Sequence, residues 1–350
     1  MIDDAAYDRE SEAIEALQAA QEEYLAEMML AAFLAWSATI QINQIASALD
    51  DTSANHIRRQ LAIILDLNSD GIPKSVAAAI DPANTRIEAH AAEIAKRAAA
   101  MAGHALNPTH ADIRSLRQSA ADFLATFKRD TGQAFTAAIE SAIYGRGDTL
   151  GRANQLVRSF GLSVLQADAL DHMRDVLRQY LETPRQLIPA HTDASGKRVP
   201  AQYVRRPDVA ALLAPTRGHL SAAQRKLLAS AISNPRLTPK QAGALLTRHA
   251  NALRKFRATA AVKRGLHELT ETAKLAGWRI AQAVGALPND QRRFWRTAGD
   301  ERVRLAHAAV PSLNPAGVPL KEPFKTPLGP QMHPPLEWGC RCRVHLKASK

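Results

Sequence analysis

Apolar residues recur at three- and four-residue steps through most of this chain, beginning with Ile14, Leu17, Ala20, Tyr24, Met28, Ala31 and Ala35. That period places them on one stripe of an α-helix. From Tyr24 onward the segment is apolar almost all round, so other helices must cover it. Helical periodicity resumes over 84–101 and 109–143, with Thr109 and Asp112 as candidate caps after Pro108. The intervening Asp66-Leu-Asn-Ser-Asp-Gly71 resembles a calcium loop. It has Ala77 where the bidentate glutamate must stand, so it reads as a turn.

The second half repeats one local device. Ser163 with Gln166, Ser221 with Gln224, and Thr238 with Gln241 each set a hydroxyl three residues before a glutamine at the start of a helical run. This is the capping-box spacing, in which two orphan amides of a helix start are satisfied reciprocally. A Gly-rich connector spans 145–152 and lacks the Lys-Ser/Thr ending of a phosphate loop. Residues 183–218 carry five prolines and few periodic apolar positions, which predicts a long arm with short strands at most. Near the end the period changes. Cys340, Cys342, Val344 and Leu346 alternate with Arg341, Arg343, His345 and Lys347, the pattern of a half-buried strand.

These patterns predict a mainly α protein: an elongated multi-helix body with a small C-terminal α+β module that ends in a strand. The expected divisions are a docking helix over 1–51, a helical region over 52–150, a basic helical region over 151–285 containing the arm, and the terminal module over 286–350. Aromatics are only 5% of the 350 residues, and alanine supplies much of the apolar content, which suits closely packed helices. Residues 28–49 carry no charge. Their strongly apolar part is shorter than the roughly 20 residues a membrane span needs, so stable membrane insertion is not expected.

Charge sharpens the division. Residues 1–51 hold eleven acidic side chains and one basic, leaving 44 basic and 23 acidic residues in the remainder. A basic body behind an acidic, apolar N-terminal helix suits contact with a polyanion such as double-stranded DNA, with the helix docking on protein. Candidate nucleic-acid contacts are Arg205 and Arg206 in the arm, then Arg254, Lys255, Arg257, Lys263 and Arg264.

The candidate chemistry lies at the C-terminus. Asp300, Arg304 and His307 stand at i, i+4 and i+7, which on a helix share one face, with Asp300 as its N-cap and Arg304 its ion-pair partner. Both cysteines of the chain sit in one Cys-Arg-Cys triplet, too close in sequence for an unstrained disulfide, and are expected to be reduced. With His307 and His333 they suggest a Cys2His2 structural zinc site; the alternative is two small buried hydrophobes. Enzyme signatures fail. His267-Glu-Leu-Thr-Glu271 lacks the second histidine of a zinc-protease helix, and no Gly-x-Ser-x-Gly elbow is present. Cys340 has flanking arginines that favour a thiolate, but its general base would have to be His307 or His333 with no evident orienting group. No catalytic residue is assigned and no cofactor other than zinc is expected.

One ordered pattern spans these features: Trp295, Asp300, Val303, Arg304 and His307, then Pro323 and Phe324, then His333, Pro334, Gly339, Cys340, Arg341 and Cys342. It resembles the phage Mu F-like head morphogenesis family, the minor head proteins. Residues 237–265 are also similar to that family's helical lead-in, although Arg257-Ala-Thr-Ala-Ala-Val replaces the usual Ala-Arg-Thr-Glu run. Residues 1–150 carry no resemblance. The resemblance implies a portal-associated virion protein, present in the host cytoplasm during assembly, that contacts portal and other head proteins in head assembly, DNA packaging or ejection. Trp295, Asp300, Arg304 and Gly339 are then expected to be architectural. An alternative is a toxin-like enzyme, because similar terminal modules accompany ADP-ribosyltransferase-like folds. Such an enzyme needs a Glu-x-Glu pair, and after His307 the chain offers only Glu322 and Glu337, fifteen apart. A stand-alone DNA-binding protein would need a recognition-helix motif, and none is evident.

Overall fold

The computed structural model describes residues 4–106, 111–145, 147–192, 194–205, 208–337 and 339–347. In chain order its elements are α1 (Asp4–Ser37), α2 (Ile42–Leu49), α3 (Ala54–Ile64), α4 (Lys74–Ile80), α5 (Ala83–Ala100), α6 (Ala111–Tyr144), α7 (Thr149–Ser159) and α8 (Val164–Glu182). The arm follows with β1 (Gln186–Ile188), β2 (His191–Thr192), β3 (Arg198–Val199) and β4 (Gln202–Val204), then α9 (Val209–Leu213), α10 (Ala222–Ile232) and α11 (Pro239–Ala283). The terminal module holds β5 (Arg292–Arg296), α12 (Leu305–Ala308), α13 (Val310–Leu313), β6 (Val318–Pro319) and β7 (Arg343–Leu346). The protein is mainly helical with a small C-terminal region of antiparallel strands, as the patterning predicts.

Two compact units share the chain. One comprises Met1–Thr39, Asp66–Gln133 and Phe256–Lys350; the other comprises Ile40–Leu65 and Ala134–Lys255. Helices α6 and α11 contribute to both.

In the first unit α1 packs on α4 and α5, so its apolar face has a partner within the chain. Ile14, Leu25, Met29 and Trp36 of α1 are buried, as are Val76 and Ile80 of α4 and Ile87 and Ile94 of α5. The acidic residues of α1 also find partners on the same body. Glu10 pairs with Arg97 at 3.0 Å, Glu22 lies 3.8 Å from Lys263, Glu15 pairs with Arg343, and Arg86 lies over the Tyr24 ring at 3.6 Å. The alanines of α5 have a clear use. Ala91, Ala95, Ala98 and Ala99 are fully buried, and Gly277 of α11 comes so close that a methyl group there would sit 2.3 Å from the Ala95 carbonyl oxygen. Between α3 and α4 the expected turn forms. The Asn68 side chain accepts from the Asp70 and Ile72 amides, and Lys74 pairs with Asp66 at 2.7 Å.

In the second unit α2 packs on α3 and α7, and α8 packs on α7, α9 and α10. Leu170, Met173, Leu177, Tyr180, Leu228 and Ile232 belong to one buried cluster there. The capping boxes at Ser163–Gln166 and Ser221–Gln224 are both closed. Thr238 and Gln241 exchange the same pair of bonds, at 2.9 and 3.3 Å. The arm folds into two short antiparallel ladders, β1 with β4 and β2 with β3.

One expected cap does not stand: Asp112 falls within α6 rather than before it. The other, Thr109, lies outside the described residues. Among the described residues, no single helix is long and apolar enough to cross a membrane.

Candidate functional site

The site forms where α11 meets the terminal sheet, all within the first unit. The sheet order is β6-β5-β7, antiparallel throughout, with Trp295 opposite Val344 and Phe294 opposite His345. β7 is therefore an edge strand, and a bare edge leaves backbone amides and carbonyls without partners. Here side chains supply them. Glu271 Oε2 accepts from the Val344 amide at 3.1 Å, Lys274 Nζ donates to the Val344 carbonyl at 2.7 Å, and the Leu346 amide donates to the Tyr7 hydroxyl at 3.1 Å. Just before the strand, His267 Nε2 lies 2.8 Å from the Cys342 carbonyl.

His267, Glu271, Lys274 and Trp278 recur at four, three and four residues, which puts them on one face of α11. That face is buried and polar. Glu271 is 2% exposed and Lys274 7%, and the two bond each other at 2.9 Å. Removing one member of such a buried pair costs about 3–5 kcal/mol, because the other charge is left unpaired. The role of Glu271 and Lys274 has no sequence signature. The frame that draws attention to a metal-binding helix emphasises Glu268, which is exposed, and gives no reason to single out Glu271. Burial, reinforced by the nearby Glu271, pushes the Tyr7 hydroxyl up to about 12, so it stays protonated beside the strand.

A cleft of about 540 Å³ opens along this edge, lined by Tyr7, Glu15, Glu271, Lys274, Arg343 and His345 among others. Of its carboxylates, Glu271 is engaged by β7 and Lys274, and Glu15 by Arg343; Asp8 lines it as well.

On the other side of the triplet, Cys342 is 1% exposed and His307 3%. His307 Nδ1 lies 3.6 Å from Cys342 Sγ, and its Nε2 lies 3.2 Å from Glu337 Oε2. Both thiols are free. Cys340 is pulled down to about 3, first by the hydrogen bond from Cys342 and also by His267, while Cys342 is pushed up by its neighbour and by burial. The order thiol, imidazole, carboxylate matches that of a cysteine nucleophile, but Cys342 is closed to any substrate by its burial.

The motif residues converge on the same module. Trp295, 4% exposed, meets Phe324 edge to face at 5.3 Å between centroids. Arg293, which sequence reasoning did not single out, is wholly buried. It donates to the carbonyls of Pro319, Glu322 and Met332 and lies over Phe324. It thereby ties the Pro-rich spacer to β5. Burial, with Arg279 nearby, holds its guanidinium down at about 10. Gly339 has φ 72°, a left-handed conformation that glycine adopts without strain.

Several expectations need correction. Asp300, Arg304 and His307 do not share a helical face, because α12 begins only at Leu305 and Arg304 is its extended N-cap, with ψ 150°. Asp300 is instead bonded through both oxygens to Arg341 at 2.6 Å, which holds its carboxyl below the usual range. Arg304 faces Glu337 at 3.6 Å rather than Asp300. His333 stands apart from the thiols, 3.0 Å from Thr272 Oγ1 and 2.8 Å from the Pro334 carbonyl, so the cluster is His307, Cys340 and Cys342. The period-two burial does run from Cys342 through Leu346, but the strand itself starts at Arg343.

Among the candidate DNA contacts, Arg205 is buried and donates to the Thr183 and Leu237 carbonyls. Arg254 donates to Phe160 and Arg158 carbonyls and to Asn251. Both are structural latches rather than free cations. Arg257 is half-buried, which lowers its pKa, and Arg206 lies outside the described residues. Lys255, Lys263 and Arg264 are exposed along α11.

No family model, no curated protein and no solved structure matches this chain.

Proposed function

We propose that this chain is a minor head protein of a tailed phage or prophage, acting at the portal vertex in head assembly, DNA packaging or ejection and touching double-stranded DNA without sequence preference. The observation that supports this reading most is the use of the ordered C-terminal pattern. Trp295, Phe324, Asp300, Arg341, His307 and Cys342 are spread over about fifty residues of sequence, yet each is spent on a contact within one module. Residues consumed in this way suit a structural role. The basic excess of residues 52–350 suits a place beside packaged DNA. In this reading the protein resides in the virion after assembly in the host cytoplasm, and its partners are the portal and neighbouring head proteins.

The test is co-expression with the portal protein encoded in the same phage or prophage genome, followed by sedimentation of the assembled ring. The chain should co-sediment with the ring and be found in purified heads. Failure to associate with either, or turnover of labelled nicotinamide dinucleotide by the purified chain, would replace this reading with the toxin-like alternative.

A further inference from the structure

We propose that His307, Cys340 and Cys342 form a zinc-binding site, with two thiolates and one imidazole as protein ligands and a fourth position facing solvent. Their ligand atoms lie within 4.8 Å of one another. A tetrahedral zinc ion takes nitrogen at about 2.0–2.1 Å and sulfur at about 2.3 Å, which sets its ligating N and S atoms roughly 3.6 Å apart. His307 Nδ1 and Cys342 Sγ stand 3.6 Å apart. An ion can therefore be seated between them with little movement.

Three neighbours are arranged as outer partners of a metal centre. Glu337 accepts from His307 Nε2 at 3.2 Å. That contact fixes the proton on Nε2 and leaves the Nδ1 lone pair for the ion, the usual support for a metal-bound histidine. The buried indole Nε1 of Trp295 has no nitrogen or oxygen acceptor among the described residues and approaches the Cys342 sulfur. His267 of α11 approaches Cys340 and donates to the Cys342 carbonyl. A divalent cation binds both sulfurs as thiolates and neutralises them together. Two thiolates with an imidazole select zinc over the hard cations magnesium and calcium. Among the described residues no fourth side chain joins the cluster, and Cys340 is only half-buried, so the last position falls on its side. The ion would staple the approach to β7 onto α12, cross-linking a module built on a sheet of three short strands.

The site is tested on the full chain, reduced and stripped with chelator, by titration with Co²⁺ and then Zn²⁺. One equivalent of Co²⁺ should produce thiolate-to-cobalt charge-transfer absorption, and Zn²⁺ should abolish it. The Asp168, His172 and His219 cluster has no thiol and cannot give that band. Cys340→Ser, Cys342→Ser and His307→Ala should each remove it, Glu337→Gln should weaken affinity about 10–100-fold, and His333→Ala should leave it unchanged. Circular dichroism identifies any variant that fails to fold, and the half-exposed Glu337 then carries the test. Absence of the band in the wild-type chain, its persistence in His307→Ala, or unchanged affinity in Glu337→Gln would overturn the site.

Discussion

His90 sits in α5 at 8% exposure, and among the described residues its Nε2 has no hydrogen-bond partner. Burial alone pushes its pKa down from 6.5 to about 4. The neutral ring is the form the fold accepts. Above pH 6.5 both folded and unfolded chains hold it neutral, and its contribution to stability is complete. As pH falls from about 6.5 to 4 the unfolded chain takes up a proton that the folded chain refuses, so stability is lost through that window and levels off below it. The full loss is about 3 kcal/mol. Chemical unfolding at pH 7 and pH 4.5 should therefore show a larger drop for the wild-type chain than for His90→Leu. Equal drops would mean that His90 is not buried as a neutral ring. At this scale the sequence is nearly silent, for a physical reason. His90 becomes distinctive only through desolvation, Glu271 through the Val344 amide 73 residues away, and Arg293 through carbonyls up to 39 residues away. Nothing adjacent in sequence marks Glu271 apart from the exposed Glu268. The thiols were legible because two rare residues share one triplet, yet the identity of their histidine depended on a turn that spacing alone cannot specify.

Among the elements, α11 is the spine of the terminal module, and its glycines separate two effects of the same substitution. Exchanging glycine for alanine within an exposed helix gains about 1 kcal/mol through reduced chain entropy. Gly243 has nothing within 4 Å of an added methyl group, so Gly243→Ala should raise the unfolding midpoint. At Gly277 the same methyl would lie 2.3 Å from the Ala95 carbonyl oxygen and 2.9 Å from Ala98 Cβ. Helices α5 and α11 must then separate, at a cost of typically 1–3 kcal/mol or more. Thermal unfolding should show opposite shifts for the two variants; shifts of the same sign would mean that α5 and α11 do not cross so closely. Elements were more readable than residues because periodicity and capping are local. All three Ser/Thr–Gln pairs start helices, and the period-two burial marks β7. The helix expected over 300–307 failed because i, i+4 and i+7 share a face only if the intervening backbone is helical. Gly299 at φ 72° and the extended Arg304 break it, and Asp300 spends both oxygens on Arg341.

For the whole molecule the governing quantity is charge. Three acidic residues of α1 are paired with cations of the first unit, so the acidic N-terminal helix is not simply a free arm for other proteins. The chain still carries a net charge of +11. A polyanion bound to such a surface is held by counterion release, so its affinity falls as a power of salt concentration. Binding to a duplex of arbitrary sequence should therefore weaken steeply between about 50 and 200 mM salt, with the same slope for different sequences. Cations that touch phosphate contribute about one unit each to that slope. Replacement of exposed Lys255 by glutamine should flatten it and leave the unfolding midpoint in place. Arg205→Gln should do the reverse, lowering the midpoint while keeping the slope, because its guanidinium is occupied by the carbonyls of Thr183 and Leu237. Fluorescence anisotropy across a salt series, with melting curves on the same samples, separates the two classes. A salt-independent affinity, or a slope that responds to Arg205 and not to Lys255, would count against DNA contact at that lysine.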